Sequence, residues 1–193
     1  GAFPGDHPLH AGFGFGPSAV PAAQNAFAEC DVMLAVGTRF AEICTGSYGA
    51  VPPEKLIHID INPGAIGANH KTPIGICADA RDAVPALADA LVAGTDARDA
   101  ATVSAALAKD KAAYREAWHK HDSRGRVNPC RFFEELRRQL NDDAIVIADD
   151  GNHTFLVAEL MQINRGGLYL SPTDFNCMGY CVPATIAVKL ALP

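Results

Sequence analysis

Two short segments carry residues that could bind a nucleotide-like ligand. In GTRF (residues 37–40), Gly37 allows close approach of the backbone and Arg39 could bind a phosphate. In HIDIN (residues 58–62), Asp60 could accept hydrogen bonds from ribose hydroxyl groups. Simpler interpretations stay open, because Arg39 could be a surface salt-bridge partner and Asp60 could cap a turn.

A third segment, ADDGNH (residues 148–153), has the chemistry of an anion site. Gly151 frees the backbone, and Asn152 and His153 offer hydrogen-bond donors. The alternative is that His153 is a helix-start residue without a ligand. No one of the three segments is specific by itself.

Two further clusters are weaker candidates, one for a metal site and one for a reactive pair of cysteines. His119 and His121, with Asp122, could ligate a metal, but ligand pairs on a helix usually lie at positions i and i+4. A solvated helix face is therefore the preferred interpretation. Cys177 and Cys181 are predicted to be small buried hydrophobic residues rather than a reactive pair.

The elements that must position these residues alternate between strands and helices. Continuous apolar runs such as VMLAV and LIHIDI, each followed by Gly, Asn or Pro, are typical of strands buried on both faces of a parallel sheet. The predicted strands are 32–36, 56–61, 74–77, 144–149 and 167–170. The predicted helices are 20–29, 82–92, 99–121, 129–140, 154–162 and a last one from about 182. The fold class is therefore α/β, with open parallel sheets flanked by helices.

The pattern predicts two units joined by a helical connector. The first unit is 1–93, the linker is 94–127, and the second unit is 128–193. Asn128 is expected to cap the helix that follows, with Pro129 in its first turn.

Composition excludes several classes of function. The 193 residues carry a net charge of −6, which gives no general attraction to nucleic acids or acidic membranes. No apolar run is long enough to span a bilayer. Six cysteines are scattered without a CxxC pair, which favours reduced thiols and a cytoplasmic setting.

Several blocks together resemble a known family. GAFPGDHPLHAGFGFG, DVMLAVGTRF, KLIHIDINPGAIGAN and GICADAR resemble, in that order, the central domain of thiamine-diphosphate-dependent enzymes, and the acetolactate synthase branch is the most similar. ADDGNHTFLVAEL and CMGYCVPATIAVKLALP resemble the opening half of the diphosphate-binding domain of the same enzymes. The resemblance covers nearly the whole chain. It implies a Rossmann-like central domain followed by an incomplete thiamine-diphosphate-binding domain.

The resemblance also implies a set of cofactor contacts. Gly151, Asn152 and His153 match the segment that holds the diphosphate. Met178 matches an apolar wedge that bends the cofactor into a V shape, a role suited to an unbranched, polarisable side chain. Asn176 matches a position whose backbone carbonyl receives the pyrimidine amine and where relatives usually have Gly.

The implied activity is that of a lyase or carboligase. Such enzymes use thiamine diphosphate with magnesium to decarboxylate a 2-keto acid and to transfer or ligate the resulting carbanion. The relatives are homo-oligomers, so the resemblance implies a homo-oligomer for the full-length enzyme.

In the central domain the resemblance implies a nucleotide or FAD site. Arg39 matches a flavin-contacting arginine, and Asp60 and Asp79 match positions beside the nucleotide. Relatives continue the arginine and aromatic with Asp-Asp-Arg, whereas this chain has Ala-Glu-Ile at residues 41–43. The alternative is a cleft without a ligand.

In the family, the magnesium ligands follow the segment that matches the end of this chain, and the catalytic glutamate precedes the central domain. No residue of this chain is therefore expected to be catalytic or to ligate a metal, and the chain alone is expected to be an inactive fragment. A nucleotide-binding or subunit-interaction module without catalysis is the alternative function.

Overall fold

The computed structural model describes residues 2–16, 19–92 and 99–192, which divide into two compact units. The first, here called the sheet unit, consists of Gly14–Ala19 and Ala23–Ala101. The second, the helical unit, consists of Gly1–Phe13, Val20–Ala22 and Thr102–Pro193.

The elements follow the predicted order of strands and helices. In chain order they are α1 (Pro21–Glu29), β1 (Val32–Val36), β2 (Lys55–Asp60), β3 (Ile74–Cys77), α2 (Ala80–Val92), α3 (Ala100–Lys120), α4 (Pro129–Gln139), β4 (Val146–Ile147), α5 (Asn152–Leu160), β5 (Tyr169–Leu170) and α6 (Cys181–Ala191). Both sheets are parallel, as the apolar runs and the helical connections predicted. The α/β fold class with open parallel sheets is confirmed.

The sheet unit is built on three strands in the order β1-β2-β3. Val36 pairs with Ile59, and Asp60 pairs with Cys77. Parallel pairing brings the carboxyl ends of all three strands to one edge, which is where ligands bind in open α/β sheets.

Burial on both faces was predicted for the first strand, and this was wrong. Ala35 is buried with Phe40 and Leu56, with Met33 packed against them. The alternate residues Val32, Leu34 and Val36 are 38–45% exposed, because no described element covers that face.

Histidine contributes to the buried side of the same sheet. His58 is 1% exposed, and its Nε2 donates a hydrogen bond to the carbonyl oxygen of Thr38 at 2.7 Å. The ring of Phe40 packs edge-on against it, 5.6 Å between centroids. An aromatic edge contact and one hydrogen bond thus hold this imidazole in the core.

The helical unit is organised around the two-stranded sheet β4-β5. Its buried core consists of Cys130, Phe133, Ala148, Val157, Leu160 and Met161. Tyr114 and Trp118 of α3 pack against this core. The helix α3 is thus anchored by one apolar stripe, while most of its other side chains stay exposed.

The predicted cap of α4 is confirmed. Asn128 has extended backbone angles, and its Oδ1 accepts a hydrogen bond from the N–H of Arg131 at 3.2 Å. Its Nδ2 also donates to the carbonyl oxygen of Trp118 at 2.7 Å. Pro129 is the first helical residue, where its missing N–H costs nothing.

Element ends differ from the prediction mainly in the helical unit. The strand predicted over 144–149 is paired only over Val146–Ile147, because its partner β5 is only two residues long. The helix predicted from 154 begins at Asn152. The division into 1–93, 94–127 and 128–193 stays a prediction, and its first boundary lies outside the described residues. Of the helices in the described part of the chain, none has the length and apolarity to cross a membrane.

Candidate functional site

The carboxyl edge of the three-stranded sheet brings the first set of predicted residues together. Gly37 follows β1 directly, and its N–H donates to the carbonyl oxygen of Ile59 at 2.9 Å. Asp60 is the last residue of β2, and its carbonyl accepts from Ala78, one residue before Asp79, at 3.1 Å. The topology therefore places both aspartates at the strand ends where the sequence analysis expected them.

Both aspartates also stabilise local turns. One oxygen of Asp60 accepts from the N–H of Asn62, and one oxygen of Asp79 accepts from the N–H of Arg81, each at 2.8 Å. The turn-capping interpretation of Asp60 is thus realised in the structure. A carboxylate has two oxygens and about four acceptor sites, so capping leaves acceptor capacity for a ligand.

Gly37 and Arg39 follow β1, whose neighbour in the sheet is the strand that ends at Asp60. Gly37 has φ of 64°, and a Cβ placed there would meet nothing within 4 Å, so the space over it is open. The segment that carries Arg39 is held by Asn69, whose Nδ2 donates to the carbonyl oxygen of Arg39 at 2.7 Å. Sequence reasoning did not single out Asn69, because an amide 30 residues away gives no local signal.

The second candidate site lies at the carboxyl end of β4. Gly151 has φ 146° and ψ −174°, a conformation that is essentially restricted to glycine. A Cβ there would lie 2.9 Å from Cε1 of His153. The helix α5 begins directly afterwards, and no acceptor among the described residues meets the backbone N–H groups of Gly151, Asn152 or His153.

Asp149 joins this strand end to the segment that precedes α6. Its Oδ1 accepts from the N–H of Gly179 at 2.8 Å and of Tyr180 at 3.3 Å, and its Oδ2 accepts from the N–H of Cys181 at 3.2 Å. The N–H of Asp150 donates to the same carboxylate at 2.8 Å. We call this set of four hydrogen bonds the Asp149 clamp.

The pKa values of two side chains at the clamp are shifted, those of the Asp149 carboxyl and of the Cys181 thiol. The pKa of Asp149 is held well below its usual range, first by the hydrogen bond from the Cys181 thiol and then by the backbone N–H of Asp150. The same thiol–carboxylate hydrogen bond raises the pKa of Cys181. The structure therefore favours an ionised carboxylate beside a neutral thiol. Sequence reasoning missed Asp149 as an anchor, although its place just after a strand and two residues before Gly151 was the available signal.

The clamped segment presents the remaining predicted residues to solvent. Met178 is 83% exposed, and Asn176 has a positive φ of 52°. The N–H of Asn176 donates to the carbonyl oxygen of Pro172 at 2.7 Å, which closes a turn. The prediction that Cys177 is buried was wrong, because it lies in this exposed turn ahead of α6.

A comparison with protein families agrees with the geometry of the sheet unit. Residues 1–87 match the family model described as thiamine pyrophosphate enzyme, central domain. These residues are thus similar to the central domain of thiamine pyrophosphate enzymes. Gly37, Arg39, Asp60 and Asp79 lie within the matched residues, whereas the Asp149 clamp lies beyond them.

Relatives extend the similarity beyond the central domain to the whole chain. The chain is 32% identical over 200 residues to the probable acetolactate synthase large subunit of Methanocaldococcus jannaschii. It is 28% identical over 195 residues to the acetolactate synthase large subunit of Corynebacterium glutamicum, and 28% identical over 213 residues to the sulfoacetaldehyde acetyltransferase of Roseovarius nubinhibens. Each alignment covers 100% of this chain and 31–35% of the relative. The chain thus spans about a third of the length of the curated relatives it matches.

Proposed function

We propose that this chain forms part of a thiamine-diphosphate-dependent enzyme of the acetolactate synthase type, which decarboxylates a 2-keto acid and transfers or ligates the product. The observation that carries the proposal is the Asp149 clamp. It holds the segment containing Asn176 and Met178 against the strand end that leads into Gly151. The two stretches that the family uses for one cofactor therefore meet at one carboxylate.

The residues after β4 fit a diphosphate. The unpaired N–H groups of Gly151, Asn152 and His153 lie at the start of α5, where the helix dipole also favours an anion. The conformation of Gly151 excludes a Cβ, and the ring of His153 lies where that Cβ would point, so this side chain also lies beside the backbone donors. The donor set is thus of the kind that a diphosphate requires.

The residues before α6 fit the organic part of the cofactor. Met178 offers an exposed apolar side chain that can support the rings, and Asn176 offers a backbone carbonyl to the pyrimidine amine. When bound, thiamine diphosphate supplies the electron sink that decarboxylation of a 2-keto acid needs. The protein holds these two segments in place through Asp149.

The central domain is proposed to bind a nucleotide such as FAD at the carboxyl edge of its sheet. Arg39 would meet the phosphates, and Asp60 and Asp79 would accept from ribose with the carboxylate oxygens that their turns leave available. The open space over Gly37 supports close approach of such a ligand.

The remaining parts of the reaction are proposed to come from outside these 193 residues. A magnesium ion needs several oxygen ligands, and the family supplies them, like its catalytic glutamate, from other segments. We therefore propose that the chain alone does not turn over a keto acid and that the active enzyme is a homo-oligomer. A cytoplasmic setting is proposed from the scattered, unpaired cysteines.

The test compares the complete product of the gene with the 193-residue chain. Each is titrated with thiamine diphosphate and magnesium by calorimetry and assayed for release of CO₂ from pyruvate, glyoxylate and aromatic keto acids. The proposal expects cofactor-dependent release from the complete product alone. Turnover by the 193-residue chain would contradict the proposed inactivity, and a complete product that neither binds the cofactor nor releases CO₂ would contradict the catalytic assignment.

The same experiment separates a nucleotide-binding module from an enzyme. A module would respond to FAD or ADP with a higher melting temperature while ignoring thiamine diphosphate. The geometry of Gly37 and Asp60 is compatible with a nucleotide-binding module. Such a module would, however, leave the Asp149 clamp without a function.

A further inference from the structure

Three side chains from α3 and α4 converge at the surface of the helical unit. They are His119, Cys130 and Glu134, and one ring nitrogen, the thiol sulfur and one carboxylate oxygen of these residues lie within 4.8 Å of one another. The Nε2 of His119 lies 2.9 Å from Oε2 of Glu134, and the Sγ of Cys130 lies 3.5 Å from Oε1. Among the described residues, this is the group of three potential metal ligands with such spacing.

The spacing along the chain explains the convergence. Cys130 and Glu134 are at positions i and i+4 of α4, so they lie on one helix face. His119 lies at the end of α3, and the Asn128 cap fixes the start of α4 close by through its hydrogen bond to the carbonyl of Trp118. The sequence analysis paired His119 with His121 on the same helix and therefore missed its partners on α4.

We propose that His119, Cys130 and Glu134 form a binding site for a single zinc ion or a similar borderline-soft divalent metal. A thiolate, an imidazole and a carboxylate form a ligand set that zinc prefers and that magnesium or calcium does not. Ligand atoms around tetrahedral zinc lie about 3.3–3.8 Å apart, given its bond lengths. The three ligand atoms lie within 4.8 Å of one another, so side-chain movements of about an ångström would bring them to this spacing.

The surroundings have the features of a metal site with one open position. Cys130 is buried, whereas the side chains of His119 and Glu134 are 39% and 30% exposed, so an ion can enter and a water can complete the coordination. Arg115 holds Oε1 of Glu134 at 2.9 Å. Oε2 is the oxygen that faces His119, so Arg115 can keep its bond and orient the carboxylate from outside the coordination sphere.

Such an ion would link the end of α3 to the first turns of α4. The ion would add a cross-link to the two ion pairs that Arg115 and His119 of α3 already make with Glu134 of α4. The expected consequence is a rise in melting temperature with zinc concentration, because the ion binds the folded chain. This inference is independent of the proposed catalytic function.

Cobalt substitution provides the most direct test. The full chain is stripped of metal with a chelator and titrated with Co²⁺, and the spectrum is followed for the charge-transfer band of a cobalt–thiolate bond. The proposal expects one equivalent to give this band and Zn²⁺ to abolish it. Absence of the band would overturn the proposal, as would a band that persists in Cys130→Ser.

Matched variants locate the ligands. His119→Asn and Glu134→Gln are expected to weaken binding by at least about tenfold. His121→Asn is the control, since the ring of this nearby histidine contacts the ring of Trp118 edge-on and His121 is not a member of the cluster. Cys130→Ser alters a buried residue and could unfold the chain. If it does, the affinity of the His119→Asn variant, which changes an exposed residue, decides between the outcomes. Equal affinity in His119→Asn and wild type would overturn the proposal, as would equal weakening by His121→Asn.

Discussion

Oδ1 of Asp149 accepts a hydrogen bond from the backbone N–H of Gly179 at 2.8 Å, across a sequence separation of 30 residues. Asp149 stands at the end of a strand, and Gly179 lies just ahead of a helix. One carboxylate thereby ties together two loops that are separated along the chain by α5 and β5. An ionised acceptor makes such bonds roughly twice as strong as a neutral one.

The first prediction concerns the order of the segment that the clamp holds. Asp149→Asn removes the charge and leaves one oxygen where there were two, so the amides of Gly179, Tyr180 and Cys181 should exchange with solvent at least about tenfold faster. Hydrogen–deuterium exchange followed by mass spectrometry measures this. Asp150→Asn is the matched control, because its side chain takes no part in the clamp. Equal effects of the two variants would show that net charge, not the clamp, orders the segment.

The second prediction concerns acid. The folded-state pKa of Asp149 lies below its unfolded value of about 3.9, so its contribution to stability is fully present above that pH and is lost as pH falls through the folded pKa. The difference in melting temperature between wild type and Asp149→Asn should be constant from about pH 7 to 4.5 and shrink below about pH 3.9. Other carboxylates titrate equally in both proteins and cancel in the difference. A difference that stays constant down to about pH 2 would contradict this role of Asp149.

Much of the fold follows from local patterns in the sequence. Apolar runs closed by Gly or Asn-Pro identified the first two strands of the sheet unit, a shorter apolar run before Asp79 identified the third, and Asn128-Pro129 located the start of α4. The exposed face of Val32, Leu34 and Val36 could not be predicted, because an apolar run indicates that both faces can be buried. Which face a neighbour covers depends on tertiary packing.

The residues of the candidate site likewise include some that local sequence patterns predict and others that depend on tertiary packing. Strand ends pointed to Gly37, Asp60 and Gly151 as candidates, because ligands bind at the carboxyl ends of parallel strands, whereas Asp79 was implied by the family resemblance alone. The Asp149 clamp could not be predicted, because its donors are backbone N–H groups that every residue carries. The cluster of His119, Cys130 and Glu134 was not predicted for a related reason. Its members come from two helices, and the sequence shows only the spacing within each helix.

The third prediction concerns the strained glycine of the anion site. Gly151→Ala forces an L-residue into a glycine-only conformation and should cost about 1–3 kcal/mol, besides the contact with His153. It should also weaken binding of thiamine diphosphate by the complete gene product. Gly167→Ala is the control: Gly167 also has a positive φ, of 82°, but lies in open space away from the site. Calorimetric titration of both variants decides the matter, and equal cofactor affinity in both would place the diphosphate elsewhere.

The fourth prediction concerns the start of α4. Asn128→Ala removes both the cap to Arg131 and the bond to the carbonyl of Trp118, and should lower the free energy of unfolding by about 1–2 kcal/mol. Asn128→Asp keeps the accepting oxygen but cannot donate, so it should recover part of the loss. Urea unfolding of the three proteins measures both steps. If the aspartate variant were as unstable as the alanine variant, the bond to Trp118 rather than the cap would be the stabilising one.

The fifth prediction separates burial from aromatic contact in the core of the helical unit. Phe132 and Phe133 form an edge-to-face pair, 5.1 Å between centroids, yet Phe132 is 49% exposed and Phe133 only 8%. Phe133→Ala leaves a cavity and should cost about 3–5 kcal/mol of unfolding free energy. Phe132→Ala should cost less, about 1–2.5 kcal/mol, because it loses the ring contact and the burial of only about half of a side chain. Either variant deletes the ring pair, so the difference between them in urea unfolding measures burial alone. Equal losses would mean that the pair, and not the core around Phe133, stabilises this end of α4.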